Sequence, residues 1–365
     1  MNRQTSRSGW ILKTAGVCFL TIFWVSALAA QKVIENPAKP LGKDPGRSLG
    51  LVEVLRIKDT GDKFYFSGSP GGFSSLGMDP EGHIYVQSGK DQILKFTPEG
   101  DFIKNIVRGG QGPGEVSQYF NFLVGDVDIF IMDFGQNRVI RLTTEGELIH
   151  QWTALHSYND LIGILNDGLI FSRSNYPPPE ERTGKLLDVP SDVLRVSFDG
   201  SEETFVHRYP VLRFLAQGAS AVWAPFHSVL SDDGRYLFVN HTAEYEISML
   251  DLSTGKTIRS FKRKYKRIKH SLYPREAEFN KKYAFKRPYE ADITGLYVFG
   301  DQLWVKTSTQ NKDKAALYDV YSFDGIYRDA LTLKTNIISI QRGCLLVWES
   351  DEDGIHSVVI YKPKS

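Results

Sequence analysis

Six residues at wide intervals carry side chains that could do chemistry together: Ser74, Asn121, Asp160, His227, Asp292 and Asn336. Each opens a short apolar run, so a fold that gathers the starts of those runs brings carboxylates, amides, an imidazole and a hydroxyl to one place. Five of the six can coordinate a cation or orient a small polar ligand. Asn121, Asp160, His227 and Asp292 form a mixed oxygen and nitrogen donor set suited to a divalent ion such as calcium. Other catalytic arrangements are not suggested by spacing. The 8 histidines are scattered, with His83, His150 and His356 on peripheral strands or turns, and no Ser-His-Asp or Cys-His grouping emerges. Gly109 to Gly114 is glycine-rich, but no Lys-Ser or Lys-Thr follows. Pro113 and an incoming strand also deny it the helix N-terminus of a phosphate loop. Cys344 lies in Gly343-Cys344-Leu345-Leu346-Val347-Trp348 and reads as a small buried hydrophobe.

A repeat announces the elements that would position these residues. Ile93-Leu94-Lys95-Phe96-Thr97-Pro98-Glu99-Gly100-Asp101-Phe102-Ile103 is answered 46 residues later by Val139-Ile140-Arg141-Leu142-Thr143-Thr144-Glu145-Gly146-Glu147-Leu148-Ile149. Short alternating apolar runs repeating at this length, with glycine at the turns, mark one blade of a β-propeller. The last-turn glycine recurs at Gly200, Gly255 and Gly325, and one further set of strands covers 337–340, 344–348 and 357–361. That set lacks a fourth strand, while Leu49 to Ile57 is a strand with no repeat before it. An open last blade would leave an unpaired edge. The sequence therefore predicts an all-β fold: a six-bladed β-propeller of four-stranded antiparallel blades, its ring closed by the N-terminal strand completing the last blade. The six residues above then face the central channel.

Composition agrees. With 365 residues, 41% hydrophobic, a sizeable core is available, and 12% aromatic residues with 32 glycines favour β-structure rich in turns. Arg3, Arg7 and Lys13 precede an apolar run from Thr14 to Leu28, and Ala27-Leu28-Ala29 fits a cleavage site, so residues 1–29 read as a secretory signal peptide. Residues 30–48, rich in Pro, Lys and Gly, read as a flexible leader, and 49–365 as the propeller. Loss of the three cations turns the formal charge of +1 into −2, which predicts no nucleic-acid partner. Only Cys344 survives cleavage, so no internal disulfide forms. The expected product is exported to the periplasm or beyond, is monomeric, and has no membrane span in its mature form.

Departures from the repeat locate the insertions at 173–190, 208–225 and 262–290. Turns between second and third strands share a face with the links between blades, so all three insertions fall on one side, where scaffold loops carry binding. The third holds eleven Lys or Arg against Glu276, Glu278 and Glu290, interleaved with Tyr265, Tyr273, Phe279, Tyr283, Phe285 and Tyr289. Arg267, Lys282 and Arg287 therefore join Asn121, Asp160, His227, Asp292 and Asn336 as ligand-face candidates.

The tandem 73–152 resembles the six-bladed propellers related to NHL-repeat proteins. The link Arg108-Gly109-Gly110-Gln111-Gly112-Pro113-Gly114-Glu115 is similar to the glycine-rich blade link of secreted bacterial members. The resemblance implies the fold and leaves function open, because such relatives include interaction modules, metal-dependent lactonases and lyases. The favoured expectation is a non-enzymatic module that binds a protein, glycan or small polar ligand on the insertion-bearing face. The alternative is a lactonase-like hydrolase or lyase using a channel cation at Asn121, Asp160, His227 and Asp292.

Overall fold

Glycines at the last turn of each repeat set the spacing of the fold. Gly100, Gly146, Gly200, Gly255 and Gly325 all adopt positive φ, between 64° and 93°. Two of them are fixed by space as well as by torsion. A Cβ on Gly146 would lie 2.5 Å from the Ile106 carbonyl, and one on Gly200 would lie 2.2 Å from the Trp152 ring. Each turn thus packs against the outer strand of the preceding repeat, which fixes how consecutive sheets stack.

The computed structural model describes residues 33–59, 61–67, 75–272 and 274–364. The segment read as a signal peptide and Ser74 lie outside the described residues. Alternation within each repeat yields six antiparallel sheets, called here blades 1 to 6, covering 76–105, 120–153, 160–209, 227–263, 293–333 and 337–363. Within each blade the strands follow one another from the inside outwards. The innermost strands touch in blade order, and the first strand of blade 6, Ile337–Gln341, meets that of blade 1, Leu76–Met78. Apolar side chains from facing sheets interdigitate in six clusters, one for each pair of neighbouring blades. Cys344 is buried in the cluster between blades 6 and 1, and burial raises its thiol pKa. The protein is all-β, with one α-helix, Pro274–Tyr283, among the described residues.

The N-terminal segment differs from the flexible leader expected at 30–48. Val33–Asn36 pairs in parallel with the outer strand of blade 4, and Arg47–Ser48 pairs in parallel with that of blade 5. Asn36 pins the first of these. Its amide donates to the Gly325 carbonyl at 2.9 Å and its oxygen accepts from the Tyr327 N–H at 3.0 Å. The sequence lacks periodicity here because an added edge strand needs only backbone partners and a few anchors. Leu51–Lys58 then lies antiparallel to the last strand of blade 6, His356–Pro363, in a register running from Ser357 opposite Lys58 to Pro363 opposite Leu51.

The insertions make structure of their own. Thr183–Asp188 from the first and Leu212–Ala216 with Ala219–Val222 from the second form a separate three-stranded sheet. The helix of the third insertion packs on it. The Phe214 ring meets Phe279, Tyr283 and Phe285 at centroid distances of 5.7, 5.9 and 4.8 Å. Pairwise contacts of this kind order loops that would otherwise be solvated. No helix among the described residues is long and apolar enough to cross a membrane.

Candidate functional site

The starts of the innermost strands bring together part of the expected set. Asn121, on Phe120–Val124, donates to the Asp160 carboxylate at 2.8 Å, while its own side-chain oxygen is buried without a partner. Asp160 opens the innermost strand of blade 3 and is solvent-accessible, yet protein surrounds it because it lies where adjacent innermost strands meet. That setting pushes its pKa up to about 6, since desolvation outweighs the bonds from Asn121 and the Leu161 backbone. His227 opens the innermost strand of blade 4. Burial holds it down to about 4, with the charge of Lys306 acting in the same direction and a bond with the Ile293 backbone opposing. Lys306, not singled out from the sequence, reaches from the second strand of blade 5 to the Asn336 side-chain oxygen at 2.6 Å. Burial lowers its pKa as well.

Asp292 does not join them. It precedes the innermost strand of blade 5, Ile293–Phe299, and its carboxylate accepts from the Tyr245 N–H at 3.0 Å and from Arg267 at 3.1 Å. Burial raises its pKa, while the Arg267 charge pulls the other way. Among the described residues, only Asp79, Glu81 and His83 bring three His, Cys, Asp or Glu ligand atoms within 4.8 Å of one another; Asp160, His227 and Asp292 do not form such a group. Even that trio is a turn rather than a metal centre. The Asp79 carboxylate already takes the His83 N–H at 2.8 Å, the Tyr85 hydroxyl at 2.9 Å and the His83 ring at 3.0 Å.

The glycine-rich link is likewise structural. Its carbonyls, Gln111 at 3.3 Å, Gly112 at 3.0 Å and Glu115, accept from the Arg138 guanidinium, which also pairs with Asp133. A loop that turns carbonyls onto an internal cation is the opposite of an anion cradle.

The second gathering of functional groups lies among the insertions. A cavity of about 390 Å³ is lined by Asp188 from the first, Leu212 and Trp223 from the second, and Arg267, Arg287 and Tyr289 from the third. His241, Thr242 and Glu244 of blade 4 complete it. The lining is mainly apolar and aromatic, with charged groups held in fixed pairs. Arg267 is 4.9 Å over the Tyr289 ring, donates to the Ala243 carbonyl at 3.1 Å and faces Glu244 at 3.6 Å. Arg287 sits between Glu276 and Glu290 at 3.6 and 3.5 Å. His241 bonds through Nδ1 to the Pro210 carbonyl at 2.8 Å, which leaves Nε2 as its second polar atom. Lys282 is exposed on the helix, 5.0 Å from the Tyr283 ring. Trp223, His241 and Tyr289 were not singled out as cavity residues, because no local spacing links positions that far apart; the excess of aromatics in the insertions was the available signal.

A mainly apolar cavity with a few oriented polar groups is the usual form of a small-ligand site. At the innermost strands, the Lys306–Asn336 pair with His227 and the Asn121–Asp160 pair offer ammonium, imidazole, amide and carboxylate groups for hydrogen bonding to a polar molecule.

Comparison with known proteins agrees on fold. Residues 78–218 match the family model DUF5128, described as a 6-bladed beta-propeller. No curated protein matches the chain. Among solved structures it is similar to BF0058 of Bacteroides fragilis NCTC 9343, at 11% identity and a TM-score of 0.57, covering 92% of this chain and all of that one (100%). It is also similar to a member of the DUF4221 family from Bacteroides vulgatus ATCC 8482, at 12% identity and a TM-score of 0.54, covering 87% and 99%. The protein is a six-bladed β-propeller.

Proposed function

We propose that the protein is an exported binding module that takes its ligand in the cavity among the three insertions. One observation carries this reading: insertions from separate points of the repeat fold onto one another and wall a single cavity. Ordering three loops costs conformational entropy, which their mutual packing offsets. Export is supported by the basic start, apolar run and small-residue cleavage pattern of residues 1–29.

We read Leu51–Lys58 as the strand that closes the ring. Supporting this are its antiparallel register with blade 6 and the packing of Leu55 and Ile57 at Gly100 of blade 1. Outer strands of other blades meet the next turn glycine in the same way, as Trp152 meets Gly200. Against the alternative of a metal-dependent hydrolase or lyase in the channel stands the placing of Asp292, whose carboxylate is taken up by the Tyr245 N–H and Arg267.

The test is a thermal-shift screen of small saccharide, aromatic and polar compounds against the wild type, Trp223→Ala and Asp160→Asn. A ligand of the cavity raises the wild-type Tm, and the shift disappears in Trp223→Ala but persists in Asp160→Asn. A shift lost only in Asp160→Asn moves the site to the channel and refutes this reading.

A further inference from the structure

We propose that the ligand is an anionic polysaccharide, one sugar ring seated in the cavity among the insertions and the charged substituents of its neighbours held by a lysine rim. The inference rests on the cavity being the binding site and adds the chemistry of what enters it.

The basic residues of the third insertion fall into two populations. Three arginines turn inward. Arg263 pairs with buried Asp319 at 2.7 Å, Arg267 with Asp292 and Arg287 with two glutamates. Lys264, Lys266, Lys269, Lys281, Lys282 and Lys286 are all exposed, and among the described residues none forms an ion pair. Three are backbone neighbours of residues that line the cavity. Lys266 adjoins Arg267, Lys286 adjoins Arg287, and Lys269 is bridged to Tyr289. Lysine presents a compact, mobile and strongly hydrated charge, suited to a flexible polyanion rather than to one fixed bidentate group.

The interior is different. Its arginines are already paired, Arg267 with Glu244 and Asp292 and Arg287 with Glu276 and Glu290, so neither is free to hold an anionic group. The part of the ligand that enters is therefore uncharged, and it meets both donors and acceptors, as a ring bearing hydroxyls requires. Trp223 and Tyr289 offer flat apolar faces for such a ring, and the volume suits roughly one or two of them. An acyl chain would give the polar groups of the lining no hydrogen-bond partners, and a free phosphate would find no unpaired arginine inside. A neutral ring within and anionic charge outside is the chemistry of an acidic polysaccharide.

Isothermal titration of the purified protein tests this with four probes: a panel of uronate and sulfated oligosaccharides, neutral gluco-oligosaccharides, polyaspartate, and phosphatidylglycerol vesicles. At least one acidic oligosaccharide is expected to bind. Its affinity should fall tenfold or more between 50 and 500 mM salt, and by a similar factor in Lys266→Gln/Lys269→Gln/Lys286→Gln. Trp223→Ala should weaken it tenfold or more while leaving weak polyaspartate binding unchanged. Circular dichroism confirms that both variants fold. Equal affinity for neutral oligosaccharides overturns the role of the rim, and polyaspartate or vesicles binding as tightly overturns the role of the ring. No binding from the acidic panel also overturns the proposal. If a different compound then raises the Tm in a Trp223-dependent way, the cavity stands as the binding site and only the polysaccharide is lost. If nothing does, both readings fail.

Discussion

Asp160 and His227 carry opposite proton preferences, and their substitution should separate them. Folding raises the Asp160 pKa from 3.8 to about 6. Between those values the folded state holds a proton that the unfolded state has released, so this residue makes stability fall as pH rises. Folding lowers His227 from 6.5 to about 4. In that window the unfolded state holds the extra proton, so stability is lost as pH falls from 6.5 towards 4. The two contributions oppose each other between about pH 4 and 6. Asp160→Asn leaves only the histidine term, and Asn121 can turn its unpartnered oxygen to accept from the new amide. Its Tm should rise more steeply with pH than that of the wild type over this range, whereas the Tm of His227→Gln should rise less or fall. Melting curves at half-unit pH steps check this, and parallel slopes in all three proteins would show that neither group is desolvated.

At the scale of elements, Phe214 is the point on which the layer of insertions turns. It comes from the second insertion, lies 3% exposed, and touches three aromatic rings of the third. Phe214→Ala should cost about 3–5 kcal/mol of that packing. Because the ring packs on the insertions and not in the clusters between blades, the loss should be local. Limited proteolysis should cut within 262–290 while the blades stay resistant; equal protection in both proteins would mean the helix is held by something else. The repeat made the shared face of the insertions legible, since its turns specify where each loop leaves. It could not show that Thr183–Asp188 pairs with Leu212–Ala216, because pairing between two insertions follows no repeat. Charge counting was blind in a related way. Eleven basic residues look alike in sequence, and pairing with Asp319, Asp292, Glu276 and Glu290 sets Arg263, Arg267 and Arg287 apart from the six exposed lysines. Asp292 left the expected channel group because it stands one residue ahead of its strand, where its carboxylate meets Tyr245 and Arg267 instead.

For the molecule as a whole, the N-terminal segment runs past three blades in turn, and its parts should differ sharply in worth. Val33–Asn36 and Arg47–Ser48 add backbone pairs to outer edges that already carry complete four-stranded sheets. Leu51–Lys58 is itself the fourth strand of its sheet, and Arg56 ties it to Glu349 at 2.9 Å. Its Ile57 is buried with Val358 and Ile360 of blade 6 and with Leu76, Ile84 and Phe96 of blade 1. Without it, the apolar cluster joining the last blade to the first is opened to water and an unpaired edge is exposed. A chain beginning at residue 49 should therefore fold cooperatively with a lowered Tm, since it loses the Asn36 bonds, two short pairings, the backbone bonds of Leu41, Gly42 and Gly46 to blade 5 and the Arg47–Asp329 ion pair, all on outer edges. A chain beginning at residue 60 should lose cooperative unfolding or aggregate, and a peptide spanning 49–59 added in trans should restore a cooperative transition. If the chain from residue 60 instead melts at the temperature of the chain from residue 49, Leu51–Lys58 merely decorates blade 6, and blades 6 and 1 are joined by their innermost strands alone.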